Sequence, residues 1–253
     1  MKLFKFDTLR RFLLRNLRDT WIKPLNPQHP HSVLISRATY SPWYNDPAFM
    51  KTYDTVKNST LVDIYRCYEL WTLVRQLEHV QGDAIEVGVW KGGTGALIAS
   101  QLSNVASSRK MYLCDTFVGV VKAGEKDTLY RGGEHADTSK EAVLELMGKL
   151  GVSQQVEILQ GIFPEESAHS IEHSQFAFCH IDVDTYLSAK DVFEWVSPRL
   201  SVHGVVVFDD YGTWGCEGVA DLVQEIAKDS RFFLFQNING HAVFIKLADS
   251  NHG

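Results

Sequence analysis

The sequence predicts an α/β fold, in which a doubly wound, mostly parallel sheet ends in a C-terminal antiparallel hairpin. Short, continuously apolar runs alternate with helical stretches from about residue 84 onward, a pattern typical of parallel strands covered on both faces. A glycine-containing turn separates the first apolar run from the helix that follows it. The last two runs, FFLFQ and AVFIKL, are too close for a crossover connection, so they must pair antiparallel.

The elements follow in a simple order. Residues 1–58 are expected to form an N-terminal arm and a loop-rich, partly helical cover, and residues 59–253 one structural unit. Asn58, Ser59 and Thr60 offer capping side chains for a long amphipathic helix that carries Leu61 on its apolar face and ends before Gly82. The expected strands are AIEVGV, MYLCD, VEILQG, FAFCHID, GVVVFDD and the two hairpin strands. The expected helices after the first strand are KGGTGALIASQL, SKEAVLELMGKLG, SAKDVFEWVSPRL and VADLVQEIAKD.

Composition excludes some classes of function. A net charge of -6 over 253 residues argues against broad nucleic-acid binding. The four cysteines form no C-x-x-C pair, which favours buried free thiols and a cytoplasmic protein. No segment reaches the roughly 18 apolar residues of a membrane span. The basic, amphipathic start of the chain could contact a membrane surface, or pack on the domain or a second subunit.

The turn after the first strand, E-V-G-V-W-K-G-G-T-G from Glu86 to Gly95, indicates a cofactor site. Glycines there let the backbone turn tightly and approach a ligand, but the spacing matches neither a phosphate loop nor a dinucleotide fingerprint. Asp115 ends the second strand, where a carboxylate can accept both hydroxyls of a ribose, or else cap a helix. Carboxylates beside glycines suit a cofactor with an amino-acid tail, such as S-adenosylmethionine, better than a pyrophosphate. The candidate cofactor contacts in this half are Glu86, Gly88, Gly92, Thr94 and Asp115.

Acidic residues end the fourth and fifth strands. His180-Ile181-Asp182-Val183-Asp184 closes one strand and Phe208-Asp209-Asp210 closes the next. Carboxylates that converge at one edge of a sheet repel each other unless a cation compensates them. We therefore expect Asp182, Asp209 and Asp210 to bind Mg²⁺ or another divalent metal, with Asp182 also near the cofactor. Asp184, two residues beyond Asp182, could turn toward the open site and act as the general base for a hydroxyl.

These stretches resemble the macrocin O-methyltransferase family, the TylF-like, metal-dependent sugar O-methyltransferases of antibiotic biosynthesis. The similar segments run from about residue 41 to 245 and are SPWYNDPAF, TLVDIYRCYELW, IEVGVWKGGTGA, CDTFVG, HIDVDTY and FDDYG. The resemblance implies a class I methyltransferase, Rossmann-like fold, S-adenosylmethionine as cofactor and the same metal ligands and base. It also implies a small hydroxylated acceptor, a sugar in this family, and a homo-oligomer. Methyltransferases contact adenine after the third strand, so the resemblance also implies Gly161 and Phe163 as cofactor contacts.

Several alternatives stay open on the sequence. D-x-D at Asp182–Asp184 also fits a metal-dependent glycosyltransferase, and an oxidoreductase or an inactive methyltransferase-fold scaffold are further hypotheses. The segment 130–139 is either a mobile lid or an ordinary surface loop. His180 is expected to pack in the core, whereas His135 and His241 could face the pocket. The segment after CDTFVG, residues 120–124, departs from the family pattern.

Overall fold

The computed structural model describes residues 9, 12–13, 40–105 and 108–249. The basic stretch at the start of the chain lies outside the described residues apart from Leu9, Phe12 and Leu13. The chain divides into two compact units, and the larger one begins at Trp43. A helix over Pro47–Val56 belongs to this larger unit and buries Phe49 and Val56 in its core.

Within the described residues, seven strands form one sheet in the order β3-β2-β1-β4-β5-β7-β6. The strands are β1 Asp83–Val87, β2 Met111–Asp115, β3 Val156–Gln160, β4 Phe176–Ile181, β5 Leu200–Phe208, β6 Phe232–Gln236 and β7 Ala242–Lys246. The α-helices are α1 Pro47–Val56, α2 Ile64–Gln76, α3 Gly93–Val105, α4 Lys140–Leu150, α5 Tyr186–Val196 and α6 Glu217–Ile226. Strands β1 to β5 pair in parallel, and β7 pairs antiparallel with both β5 and β6. The predicted doubly wound sheet with a C-terminal hairpin is confirmed.

The sheet carries an apolar layer on each face, as its continuously apolar strands predict. Alternate strand residues belong to opposite layers, because successive side chains of a strand point to opposite faces. One layer joins residues of α1 to α4, among them Trp71, Leu97 and Met147. The other joins residues of α5 and α6, among them Phe193 and Val223. The sheet is therefore buried on both sides, and its ligand site must lie at an end of the strands.

The order of the sheet reverses between β1 and β4. Strand β1 pairs with β2 on one side and with β4 on the other, so the helices that follow β1 and β4 leave on opposite faces. The crevice at such a switch point, outside the carboxyl ends of the strands, is where open α/β sheets bind ligands. The glycine turn follows β1, and the acidic motifs follow β4 and β5, so the fold brings both predicted half-sites to this crevice.

The start of α2 differs from the prediction. The side chain that caps this helix is Asp63, whose Oδ1 accepts the backbone N–H groups of Tyr65 and Arg66. Thr60 instead bonds to the N–H of Val62 and shapes the turn before the helix. Leu61 therefore precedes the helix and is 67% exposed, so its expected place on the buried helical face is wrong. The later start places Arg66 in the first turn of α2.

The cysteines and the helix lengths were the subject of two predictions from composition. All four cysteines are free and buried, as predicted. Among the described residues, none of the helices has the length and apolar character that crossing a bilayer requires.

Candidate active site

A cavity of about 290 Å³ opens at the carboxyl ends of β1, β2, β4 and β5. Its walls come from the turn before α2, the glycine turn, the loops after β2 and β3, the acidic ends of β4 and β5, and the helix α5. The predicted residues that line it are Gly88, Thr94, Asp115, Gly161, Phe163, Asp182, Asp184, Asp209 and Asp210. The structure thus brings the cofactor half and the acidic half of the prediction together in one cavity.

The glycine turn after β1 is held by close backbone contacts. Gly88 adopts φ +87°, and a Cβ there would lie 1.7 Å from the carbonyl oxygen of Asp182. The backbones after β1 and β4 can approach this closely only because residue 88 has no side chain. Gly92 adopts φ +82° and packs against Val143 of α4, outside the residues that line the cavity. The first glycine therefore borders the cavity, and the second shapes the turn from behind.

Asp115 braces the same turn. Its Oδ2 accepts the backbone N–H groups of Val89 at 2.6 Å and Trp90 at 2.9 Å, and its Oδ1 accepts that of Phe117 at 2.6 Å. Trp90 and Phe117 both have positive φ, a conformation that costs free energy in a residue with a side chain. Asp115 thus ties the end of β2 to the glycine turn, in addition to facing the cavity.

Glu86 lies behind the cavity wall and not on it. Its side chain is fully buried, and Oε1 is 2.8 Å from Nδ1 of His180 on the neighbouring strand. A Cβ on Gly95 would lie 2.5 Å from Glu86 Oε2, so that glycine makes room for the carboxylate. Burial lowers the pKa of His180, but the adjacent Asp209 and Glu86 carboxylates outweigh it and raise that pKa to about 10. His180 is a core residue, as expected, and forms an ion pair with Glu86.

The four acidic residues converge as predicted. Oxygen atoms of Asp182, Asp209 and Asp210 lie within 4.8 Å of one another, which is compatible with shared ligation of one ion. Asp184 donates its backbone N–H to Asp210 Oδ2 at 2.9 Å and has φ +64°. With this left-handed backbone, Asp184 lines the cavity beside Asp210. Strained backbone of this kind is concentrated at functional sites.

The acidic residues differ in their electrostatic surroundings. Burial, together with Asp209 and Asp210, raises the pKa of Asp182 well above its usual value. Burial, Asp184 and Asp209 do the same to the pKa of Asp210. The pKa of Asp209 is instead lowered, because the nearby His180, with Nε2 3.6 Å from Oδ1, the hydrogen-bonded His241 and the charge of Arg66 together outweigh its burial. The cluster therefore holds more negative charge than the protein compensates, and its all-oxygen donors suit a hard divalent cation.

Asp184 is in contact with the loop that follows β2. Burial raises its pKa, and hydrogen bonding from Tyr130 and the charge of His135 oppose that effect. Tyr130 Oη lies 3.5 Å from His135 Nε2, and both side chains line the cavity. Asp137 anchors the same loop to the glycine turn, since it accepts hydrogen bonds from Trp90 Nε1 and Lys91 Nζ. Segment 130–139 thus forms one wall of the cavity.

Sequence reasoning missed three residues that contact the acidic cluster. Arg66 Nη1 donates to Asp209 Oδ2, from a residue 143 positions earlier in the chain. His241, which does not line the cavity, places Nε2 at 2.8 Å from Asp209 Oδ1. The buried thiol of Cys216 lies 3.7 Å from Asp210 Oδ1 and 3.9 Å from Asp184 Oδ1. No sequence motif joins these residues to the cluster, and only the fold brings them together.

Comparison with known proteins agrees with this geometry. The family model described as macrocin-O-methyltransferase (TylF) matches residues 53–245. A protein of Streptomyces olivaceus is 28% identical over 190 residues, covering 66% of this chain and 72% of that protein. Its name is 8-demethyl-8-(2,3-dimethoxy-alpha-L-rhamnosyl)-tetracenomycin-C 4'-O-methyltransferase. Mycinamicin III 3''-O-methyltransferase of Micromonospora griseorubida is 26% identical over 204 residues, covering 72% of this chain and 80% of its own length.

Solved structures give the same result. The O-methyltransferase NovP superposes with a TM-score of 0.67 at 25% identity, covering 75% of this chain and 83% of that one. The O-methyltransferase from Bacillus cereus in complex with SAH shares the fold, with a TM-score of 0.54 at 16% identity over 85% of this chain and 94% of that one. The family match and the O-methyltransferase relatives favour methyl transfer over the glycosyltransferase and oxidoreductase hypotheses. The chain belongs to the macrocin O-methyltransferase (TylF) family and is an S-adenosylmethionine-dependent O-methyltransferase.

Proposed function

We propose that this enzyme is metal-dependent and methylates a sugar hydroxyl of a glycosylated natural product or polysaccharide. The observation that carries the proposal is the convergence of Asp182, Asp184, Asp209 and Asp210 beside the glycine turn. The sugar acceptor is inferred from the relatives named for rhamnosyl tetracenomycin, demethyldecarbamoylnovobiocin and mycinamicin III. A small hydroxylated acceptor suits a cavity of about 290 Å³ that is lined by both polar and apolar residues.

The cofactor half of the site is assigned to the ends of β1, β2 and β3. Gly88 and Thr94 border the space where the amino-acid tail of the cofactor would bind, and Asp115 faces it from β2. Gly161 and Phe163 add the wall on which the adenine would pack. Glu86 and Gly92 act from behind this surface, so we assign them to shaping the turn and not to direct contact.

The acidic half is assigned to the metal and the acceptor. Asp182, Asp209 and Asp210 would hold Mg²⁺ or another divalent cation, and their uncompensated charge is the feature of this structure that fits one. When bound, S-adenosylmethionine would supply the electrophilic methyl group, and a divalent cation would supply Lewis acidity to the acceptor hydroxyl. The chain's own residues must then orient the hydroxyl and remove its proton.

Asp184 is the proposed general base. Its raised pKa makes it a better proton acceptor than an exposed aspartate, and it lies beside Asp210, one of the proposed metal ligands. Tyr130 and His135 approach it from the loop wall, where they can help to orient the acceptor hydroxyl. Positioning of the cofactor and the acceptor in the cavity is expected to provide most of the rate enhancement.

Methyl transfer from isotopically labelled S-adenosylmethionine tests the function directly. Glycosides, free sugars and simple phenols are offered separately, each with Mg²⁺ or with EDTA, and products are followed by mass spectrometry. Label in a glycoside that appears with Mg²⁺ and disappears with EDTA is the expected result. Transfer that is unaffected by EDTA would contradict metal dependence, and transfer to phenols alone would contradict the sugar acceptor.

We also propose that the enzyme is a cytoplasmic homo-oligomer. Four buried free thiols suit a reducing compartment. Phe233 and Phe235 are each 53% exposed on β6, the outermost strand of the sheet, and an apolar sheet edge is usually covered. Light scattering of the purified chain is expected to give a multiple of 28.6 kDa, and a mass of one chain would contradict association.

A further inference from the structure

A buried polar network connects the acidic cluster with the tip of the C-terminal hairpin. His241, the first residue after the hairpin turn, is fully buried and has a carboxylate at each ring nitrogen. Nε2 is 2.8 Å from Asp209 Oδ1, and Nδ1 is 2.5 Å from Glu69 Oε2 on α2. Each ring nitrogen therefore lies within hydrogen-bond distance of a carboxylate oxygen, and the imidazole links α2 to Asp209.

Glu69 is itself held in place by the hairpin turn. Its Oε1 accepts a hydrogen bond from Asn237 Nδ2, and its Oε2 accepts one from Asn239 Nδ2 at 3.2 Å. The two asparagines also fix the turn, because Asn237 Oδ1 accepts the N–H of Asn239 and Asn239 Oδ1 accepts that of His241. The position of the imidazole is therefore determined by α2 and by the turn together.

The same turn packs directly on the segment that follows the aspartate pair. Gly212 donates its N–H to the carbonyl of Gly240 at 2.9 Å, and a Cβ on Gly212 would lie 2.7 Å from Gly240 Cα. Arg66 Nη1 donates a hydrogen bond to the other carboxylate oxygen of Asp209, Oδ2. Asp209 is thus fixed at both oxygens, whereas Asp210 accepts a backbone N–H and lies near a weak thiol donor.

We propose that His241, oriented by Glu69, is a positioning residue that fixes Asp209 for metal binding. This inference rests on the proposed metal site. A hydrogen-bonded partner behind a metal ligand sets the orientation of that ligand, and its loss typically weakens metal binding roughly 10- to 100-fold. The network explains why a fully buried histidine lies at the tip of the hairpin, with the half-buried side chains of Glu69, Asn237 and Asn239 around it.

The test is calorimetric titration of Mg²⁺ into the full-length protein saturated with adenosylhomocysteine. His241→Leu removes both hydrogen bonds, and Glu69→Gln keeps the side-chain volume but removes the charge behind the imidazole. The Mg²⁺ dissociation constant is expected to rise roughly 10- to 100-fold for His241→Leu and less for Glu69→Gln. The adenosylhomocysteine dissociation constant, measured in EDTA, is expected to stay within about twofold of the wild type. His203→Asn, at an exposed position of β5, is the matched control and should change neither value.

Each outcome bears on a different claim. An unchanged Mg²⁺ constant in folded His241→Leu, or equal losses of Mg²⁺ and adenosylhomocysteine affinity, would overturn the positioning role. If His241→Leu does not fold, an unchanged Mg²⁺ constant in Glu69→Gln would overturn it instead. A wild-type protein that binds adenosylhomocysteine but takes up no Mg²⁺ would show that the proposed metal site itself is wrong.

Discussion

At the scale of single residues, the acidic cluster is not a set of equivalent carboxylates. Arg66 and His241 occupy both oxygens of Asp209, so its charge is compensated within the protein. Asp182 and Asp210 have no such cation against them in the described contacts, and their pKa values are raised. A bound cation would therefore relieve repulsion mainly at these two residues, while Asp209 provides a ligand that is already oriented.

Replacing the proposed base tests whether Asp184 has a different role from the proposed metal ligands. Asp184→Asn is expected to reduce kcat by roughly 10²- to 10⁴-fold, because an amide cannot accept the hydroxyl proton. Adenosylhomocysteine and Mg²⁺ affinities, measured by calorimetry, are expected to change little. Asp221→Asn, at an exposed position of α6, is the control for a lost carboxylate and should retain full activity. A variant at residue 184 that keeps wild-type turnover would contradict the assignment of the base.

Replacing a proposed ligand should have opposite effects with and without metal. Asp210→Asn removes a charge that repels Asp184 and Asp209 but keeps an oxygen to accept the N–H of Asp184. In EDTA we expect a stabilisation of about 1 kcal/mol, or roughly 2–4 °C in Tm for a chain of this size. With saturating Mg²⁺ the wild type should be stabilised and the variant should not. Scanning calorimetry checks both, and a variant that Mg²⁺ stabilises as strongly as the wild type would contradict ligation by Asp210.

Residue patterns predicted which aspartates converge but not their hydrogen bonds. Asp182, Asp184, Asp209 and Asp210 could be found because strand ends are visible as the limits of apolar runs. The contacts of Asp209 with Arg66 and of His241 with Glu69 join residues 143 and 172 positions apart. Such pairs carry no local signal, so Arg66 and Glu69 could not be recognised from one sequence.

At the scale of elements, strands were easier to predict than the helix that begins the site. Buried parallel strands are continuously apolar, and the runs in the sequence matched the observed strands closely. The prediction of the side chain that caps α2 was wrong, because Asn58 to Thr60 and Asp63 can all accept N–H groups. Only the packed position of the helix decides among them, and it places Arg66 toward Asp209.

The turn between β1 and α3 yields a prediction with a matched pair of glycines. Gly88→Ala and Gly151→Ala both place a side chain at positive φ, which costs about 1–2 kcal/mol. At Gly88 the new Cβ would also strike the carbonyl of Asp182, whereas at Gly151 nothing lies within 4 Å. We expect Gly151→Ala to lower Tm modestly and to bind adenosylhomocysteine normally, and Gly88→Ala to lose that binding. Equal behaviour of the two variants in thermal unfolding and calorimetry would contradict the role assigned to the close approach of β1 and β4.

At the scale of the whole molecule, the switch point of the sheet unites two half-sites with different tasks. The ends of β1, β2 and β3 form the cofactor side, and the ends of β4 and β5 provide the acids. The loop after β2 closes the space between them with Tyr130 and His135, a role that its polar sequence left undecided. The order of the strands, which follows from the alternation of apolar runs and helices, thus determines which residues can meet.

The measurement that tests this account most directly is an anomalous diffraction map from crystals of the protein with Mn²⁺ and adenosylhomocysteine. We predict one manganese peak within coordination distance of Asp182, Asp209 and Asp210, with Asp184 nearby but not bound. A second group of side chains, His180, Asp209 and His241, also has potential ligand atoms within 4.8 Å of one another. A peak at that group, or no peak in a crystal that contains adenosylhomocysteine, would contradict the central claim.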